Sequence, residues 1–373
     1  MPSATVTDRE YRLERFHGTR SGHEKPGRYW KIDPDSIDVP PDARVGGSVS
    51  IQAPAHIVAV AMDVAHSEHA EPLARALGMA VEPHHKFAHL TAAFAGLGAF
   101  IHIPADIAVD DPIVVTYRTD GSNVLFPHTV VLAERGARAN IIERIEADDG
   151  AFICGVAEIV TAGHADITYA AVQTLPIDAR SFFTRAARPG PNARIAWATA
   201  DLGAALALCD IAIAIEHPGV DANVASLFFP TGTQHVDIVS TIDHRVGHSS
   251  SQTLVKSAAN GRGQARYLGN IRIAAHAQGS QAGLRDDALL LSKHAHIDSI
   301  PALEIAANDV KAYHGATVGA IDDEQIFYMT SRGIDRRQAE KMIALGFFEP
   351  VIDRFPTQAL REELHAALPD KVQ

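Results

Sequence analysis

The sequence predicts a mainly β protein with helical regions at both ends, and three observations carry that prediction. From residue 99 to about 321, apolar residues alternate with polar or small ones at a period of two. Helical periodicity is absent from that stretch and concentrated before and after it. The stretch is also poor in the Asn-Gly and Asp-Gly pairs that close β-hairpins. Period two means strands with one buried face. Many short strands without intervening helices leave a sandwich, a barrel, a propeller or a β-solenoid.

Taken in order, residues 1 to about 50 read as irregular, with Pro26, Pro34, Pro40 and Pro41 among charged residues and glycines; Tyr29 and Trp30 are expected to dock part of this arm. Residues 66–97 read as helical. The run from Glu68 to Leu77 is rich in Ala, Leu and Glu, with Gly78 as its stop, and Phe87, Leu90, Phe94 and Leu97 make one apolar stripe that Gly98 ends. Then come the strands. Ile113, Val115 and Tyr117 alternate, as do Ile167, Tyr169 and Ala171, then Ile195, Trp197 and Thr199, then Val236, Ile238, Ser240 and Ile242. Asp120-Gly121 and Asn260-Gly261 are the main hairpin candidates. Small and β-branched residues run together over 205–215, which suits the tight inner stack of a coil and favours the solenoid, with a sandwich as its competitor.

The last 50 or so residues read as helical again. Asp322 with Gln325 and Asp335 with Gln338 are capping patterns, and Gly333 and Gly346 are the expected stops. Pro356 breaks the chain, Thr357 can cap, and Leu360, Leu364 and Leu368 mark the last helix. These helices are expected to cover the end of the solenoid, because an open coil exposes apolar surface and unpaired backbone. The division that follows is an irregular arm plus helical region (1–97), a β core (98–321) and a C-terminal helical domain (322–373).

At 373 residues the chain is long for one core unless the fold grows in one dimension. Hydrophobic residues at 46% and charged ones at 21% argue against wholesale disorder. A formal net charge of −12 makes nucleic acid an unsuitable partner. Two cysteines, Cys154 and Cys209, can build neither a disulfide framework nor the four-thiolate set of a resident iron–sulfur cluster, and each reads as a small buried hydrophobe. No signal peptide is read at the start. No apolar run reaches the roughly 18 residues of a membrane span, residues 204–215 being too short and interrupted by Asp210. A cytoplasmic protein away from membranes is expected. The 20 histidines read mostly as strand-face and loop residues, with metal binding as the alternative.

Residues 269–348 carry a string of motifs at fixed gaps. They are Gly269-x-Ile271, Ala277-Gln278, Leu291-Ser292, Pro301-x-Leu303-Glu304-Ile305, Asp309-Val310 and His314-Gly315-Ala316-Thr317-Val318-Gly319. Phe327-Tyr328, Ser331-Arg332-Gly333-Ile334 and Gly346-Phe347 complete the string. It resembles the C-terminal core of the SufB/SufD family of iron–sulfur cluster assembly scaffold proteins. Weaker matches upstream are Lys86-Phe87-Ala88-x-Leu90, Asp243-His244 and Ser251-Gln252. The resemblance implies a right-handed parallel β-helix flanked by helical regions. It also implies a complex with a SufB-like subunit and a SufC-like ABC ATPase. In such a complex nascent cluster forms where β-helix ends meet, and the C-terminal helices bind the ATPase. The sequence has no Gly-x-x-x-x-Gly-Lys-Ser/Thr loop, so ATP hydrolysis would come from a partner.

The resemblance leans toward SufD. SufB-like chains carry a cysteine in the stretch where this chain has Met329, and a thioether is a poor acceptor of sulfur. His314 matches the SufD histidine implicated at the cluster-forming interface, and neutral imidazole is a good ligand for iron. The structural alternative is a buried histidine in a turn before Gly315. Ala312 stands where SufD chains often have a cysteine, which leaves His314 alone or with the carboxylates of Glu304 and Asp309. The structural alternative for those two is an ion pair for Glu304 and a turn cap for Asp309. His294 and His296 lie outside the matched motifs and read as minor candidates. Arg332, Gly333, Ile334, Glu340, Met342 and Ile343 are the candidates for docking the ATPase; Arg332 could instead tie the helices to the β-helix.

The expected function is therefore a non-catalytic SufD-like scaffold, a homodimer when isolated. It would have no resident cofactor, and iron or nascent cluster would pass transiently at a subunit interface. The alternatives are a stand-alone homodimeric iron-handling protein and a SufB-like scaffold. A polysaccharide-cleaving β-helix enzyme fits less well, because it would need clustered carboxylates over a groove.

Overall fold

A computed structural model describes residues 37–81, 86–94 and 96–372. The docking of the arm through Tyr29 and Trp30 falls outside the described residues. The described chain opens with β1 (Ser48–Gln52), β2 (Val58–Ala61), α1 (Met62–Glu68), α2 (Ala70–Ala74) and α3 (Lys86–Ala93). Next come β3 (Gly98–Ile103), β4 (Ile113–Arg118), β5 (Val124–Leu125), β6 (His128–Ala133), β7 (Arg138–Glu146), β8 (Phe152–Thr161), β9 (Asp166–Gln173) and β10 (Arg180–Arg188). They continue as β11 (Arg194–Asp201), β12 (Leu206–Ile215), β13 (Asp221–Phe228), β14 (His235–His244), β15 (Ser250–Ala259), β16 (Gln264–Ile273), β17 (Ser280–Leu290), β18 (His296–Ile305) and β19 (Val310–Ala320).

From β6 onward, successive strands fall alternately into two sheets. The first runs β2-β3-β6-β8-β10-β12-β14-β16-β18 and the second β1-β4-β7-β9-β11-β13-β15-β17-β19. The result is a parallel β-solenoid of about 8 turns. Arg180 pairs with Leu206, Leu206 with His235, His235 with Gln264 and Gln264 with His296, so a coil takes 26 to 32 residues. Among the described residues only β1 and β2 are antiparallel, to β4 and β3, and they seal the N-terminal end of the stack.

The alternating residues do what their period requires. Ile113, Val115, Tyr117, Ile167, Tyr169, Ile195, Trp197, Val236 and Ile238 all point into the lumen and form one continuous core. The two hairpin candidates are turns, with φ of 45° at Asp120, 79° at Gly121 and 64° at Gly261. They carry the chain between sheets instead of closing hairpins, since β15 and β16 lie in different sheets.

At the opposite corner, seven successive coils each have one residue in the left-handed region. Asp106, Gly136, His164, Asn192, Gly219, His248 and Gly279 form this column, with φ between 55° and 73°. Their conformation aims each backbone N–H along the stack. Gly136 donates to the Gly163 carbonyl, His164 to Pro191, Asn192 to Pro218, Gly219 to His248, His248 to Gln278 and Gly279 to Asp309, each in the next coil.

Helices cover both flanks. Met62, Ala65 and Leu73 pack on Phe100, Val130 and Leu132 of the first sheet, and Phe87 and Leu90 on Phe152 and Phe182. The helical reading of 66–97 needs correction at its edges. The helix begins at Met62, breaks at His69, and does not include Leu97. Gly98 opens β3 instead of ending a helix, and it is glycine because a Cβ there would lie 2.5 Å from the His128 carbonyl oxygen.

A short loop after α2 is pinned by a buried carboxylate. Glu158 accepts the backbone N–H groups of Gly78, Ala80 and Val81 at 3.0–3.3 Å and sits 2.9 Å from His128 Nε2. Burial works to raise this carboxyl, but the bonds from His128 and the loop amides hold it below its ordinary value. A depressed carboxyl stabilises above its unfolded value, and that contribution fades as pH falls through the folded one. Glu158→Gln is expected to cost roughly 1–3 kcal/mol and to speed amide exchange at residues 78–81. The difference from wild type should vanish in acid; equal exchange at neutral pH would refute the pinning role.

At the other end lie α4 (Asp323–Ser331), α5 (Arg336–Ile352), α6 (Gln358–Ala367) and a 3₁₀ turn, Leu368–Val372. Asp322, Asp335 and Thr357 cap them through side-chain bonds to the N–H groups of Glu324, Gln338 and Leu360. Gly346 does not stop α5, which runs on to bury Phe348, Val351 and Ile352. Nor do these helices cover the end of the coil. Phe348, Val351, Phe355, Leu360 and Leu364 pack along the outer face of the second sheet, on Ile142, Val172, Leu227, Phe229 and Leu289. Arg144 adds a two-pronged bond to Glu363 at 2.6 and 2.8 Å. The reason is complementarity: that outer face carries an apolar strip along the stack, and packing the apolar stripe of the helices on it removes both from water. No helix among the described residues is long and apolar enough to cross a membrane.

Candidate functional site

The solenoid therefore ends open. β18 and β19 each pair on one side only, with β16 and β17. β19 is exposed along nearly its whole length, and Ile305, Tyr313 and Val318 are apolar residues left in solvent. Unpaired edges and a bare lumen mouth are a template for another chain.

His314 lies in the middle of β19, opposite Leu284. Val310 and Ala312 pack against the lumen core, so His314, on the same parity, faces the lumen side. It is exposed because no further coil lies above it. This differs from a buried histidine in a turn. Glu304 sits near the end of β18 with its carboxylate 3.4 Å from Arg272 Nε. Asp309 occupies the last corner, where its N–H donates to Gln278 Oε1 at 2.8 Å and its carbonyl accepts from Gly279 at 2.6 Å. His296 pairs with Asp298 at 2.8 Å. Among the described residues no three His, Cys, Asp or Glu side chains converge where they could hold a metal ion. The open end thus presents single ligands and no complete cage.

One residue here was invisible in the sequence reading. Asp286 on β17 shares the lumen-facing parity of Leu284, is fully buried, and lies one diagonal step from His314, opposite Ala316. Ser299 Oγ donates to its Oδ2, while Oδ1 has no hydrogen-bond partner among the described residues. Burial, and secondarily the charge of Asp287, push its carboxyl up to about 7 against the Ser299 bond. In sequence the Arg285-Asp286-Asp287 run looks like an exposed charged stretch. Of the three only Arg285 is exposed; Asp287 shares its outward parity but is buried, bonded to Lys256, Arg285 and Thr317.

Deeper in the lumen lies a second polar group. Arg185 Nη1 is 3.0 Å from Cys209 Sγ, and Nη2 is 3.5 Å from Glu143 Oε1. Tyr169 and Thr129 donate to Glu143 Oε2 at 2.7 and 3.1 Å. Burial pushes the Cys209 thiol up to about 12 in spite of Arg185, so it stays protonated at neutral pH.

The α4–α5 corner is the other exposed feature. Gly333, with φ of 87°, closes α4, and Ile334 N–H reaches back to the Met329 carbonyl. Arg332, the residue that caps α4, lies over the Tyr328 ring at 5.2 Å, a contact with its own helix and not with the solenoid. Glu340 pairs with Arg336, and Ile334 and Ile343 are half-buried. Phe327 is 74% exposed, Tyr328 60% and Met342 45%. Only Ile326 of α4 is buried, so this face is apolar and uncovered.

Residues 115–347, from β4 into α5, match the family described as SUF system FeS cluster assembly, SufBD core domain. The chain belongs to the SufBD family. It is 27% identical over 277 residues to an iron–sulfur cluster assembly SufBD family protein of Staphylococcus epidermidis, covering 73% of this chain and 60% of that one. It is 28% identical over 264 residues to one from Mycobacterium leprae, covering 70% of this chain and 30% of that one. The chain therefore spans less than two thirds of the length of these curated relatives. The SufBD match takes in the open end and the corner with Phe327 and Met342, the two exposed features described above.

Proposed function

We propose that this SufBD chain is a non-catalytic, SufD-like scaffold subunit of the SUF iron–sulfur cluster assembly complex. The observation that carries this reading is the uncovered last coil with His314 at its mouth and no thiol beside it. A SufB-like subunit with the same coil geometry would continue both sheets across the β18 and β19 edges. It would also supply the sulfur ligands that Ala312 and Met329 cannot. Iron or nascent cluster would then be transient cargo at the joint, with His314 as this chain's ligand and Glu304 and Asp309 flanking it. The apolar α4–α5 face, with Arg332, Gly333, Ile334, Glu340, Met342 and Ile343, would dock a SufC-like ABC ATPase. A cytoplasmic location follows from that setting.

Co-expression with the SufB-like and SufC-like proteins of the same organism tests this. The wild-type chain should co-purify with both. Met342→Asp, at an exposed position, should lose the ATPase and keep the SufB-like partner; Ile334→Asp should do the same with some loss of stability. A wild-type chain that folds as a dimer and binds neither partner would sink the reading. It would favour the stand-alone homodimeric iron-handling protein, in which a second copy covers the open coil.

A further inference from the structure

A groove of about 250 Å³ runs along the outer face of the second sheet, between the helical layer and the last coil. Its floor is one column of outward residues in register, Thr168, Ala196, Asn223 and Gln252, continued past Gly283 by Tyr313. The small side chain of Ala196 keeps the floor shallow, and Asn223 and Gln252 make it polar. Three arginines from three elements border it: Arg194 of β11, Arg285 of β17 and Arg354 just beyond α5. No carboxylate lines it, in a chain whose net charge is −12. A second groove, on the first sheet, makes the contrast. There Arg188 and Arg245 are already bonded to Glu216, which lines the same groove with Asp243.

The arginines of the second-sheet groove keep capacity to spare. Arg194 has only loose neighbours, Asp221 at 3.6 Å and Asp166 at 4.0 Å. Arg285 spends its Nε on Asp287 at 2.8 Å. Arg354 makes no ion pair among the described residues. Tyr313 completes the arrangement. Its ring lies over Gly283, where a Cβ would come within 2.5 Å of Cζ, and its hydroxyl donates to Gln252 Oε1 at 3.0 Å. That bond occupies the Gln252 oxygen and leaves its NH₂ as a donor. The polar boundary is thus biased to hydrogen-bond donors and positive charge.

We propose that this groove binds a small, multiply charged oxyanion, phosphate- or carboxylate-bearing, held by the guanidinium groups of Arg194, Arg285 and Arg354 with the Gln252 amide beneath. Guanidinium forks match both oxyanions in two-pronged geometry. The inference does not depend on the SufD-like assignment, since every residue it uses belongs to this chain.

Isothermal titration of the full chain with pyrophosphate and with citrate tests it, against sodium chloride at matched ionic strength. Saturable one-site binding is expected. Arg354→Ala and Arg285→Ala should each weaken it about tenfold or more, as expected for losing a charged hydrogen-bonding pair. Both are exposed positions, so folding should survive. Tyr313→Phe, which releases the Gln252 amide to turn its oxygen toward the groove, should weaken binding a few-fold. Binding of pyrophosphate alone would assign the site to phosphate compounds, and of citrate alone to polycarboxylates. No saturable binding above the chloride control, or affinity unchanged in the Arg354→Ala, Arg285→Ala double variant, would overturn the proposal.

Discussion

Arg185→Leu is expected to destabilise the chain by about 3–5 kcal/mol, enough to prevent folding outright in a marginal domain. Arg185 is buried within the lumen, its guanidinium between Glu143 and Cys209 and over the Phe183 ring at 4.5 Å. Removing the cation leaves the Glu143 carboxylate in the lumen with only the Tyr169 and Thr129 hydroxyls. It also removes the charge that opposes the burial-driven rise of the Asp201 carboxyl. Urea unfolding followed by circular dichroism measures the loss. The companion Glu143→Gln, Arg185→Leu double variant should recover much of it, because the cost arises from an uncompensated charge and not from lost volume. If Arg185→Leu alone unfolds at the wild-type midpoint, the lumen charge is not held as described.

Asp286→Asn should move stability the other way at neutral and alkaline pH. The folded carboxyl is raised from an ordinary value near 3.8 to about 7, chiefly by burial. Below the unfolded value both states hold the proton and nothing is lost. As pH rises from about 4 to about 7 the unfolded chain releases its proton while the folded one retains it, so stability falls, then levels off. An amide cannot ionise, so the variant should lack this component and be more stable at pH 8, by up to ~4 kcal/mol for a shift of this size. Melting temperatures of both proteins between pH 5 and 8 decide it: diverging curves are expected, and parallel ones would mean that Asp286 is ionised without penalty.

These two side chains also mark where the sequence stops being legible. Period two showed which residues of a strand share a face, as with Ile113, Val115 and Tyr117. The same parity puts Arg185 and Asp286 on the lumen side, but a charged residue in a strand ordinarily means an exposed face, and a lone sequence gives no reason to read otherwise. Partners on neighbouring strands make those positions tolerable, Cys209 and Glu143 for Arg185 and Ser299 for Asp286, and coil length sets which residues of different strands meet. The motif string around His314 identified the family. It could not show that His314 lies in a strand, or that Glu304 and Asp309 are engaged with Arg272 and the last corner. Helix starts at Asp322, Asp335 and Thr357 were readable because capping is local. The stop at Gly346 failed because the apolar strip on the second sheet extends the helix past a residue that would end it in isolation.

The corner column has a consequence for how the molecule comes apart. Each left-handed residue clamps its coil to the next, so coils are held mainly by their neighbours, as links in a zipper. One end of that zipper is locked by β1 and β2, and the helices brace its sides, but the last coil hangs on a single neighbour. Opening should therefore begin at β19 and run backwards. Amide protection should rise coil by coil toward the N-terminal end, and anything that grips the free edge would slow exchange far from where it touches.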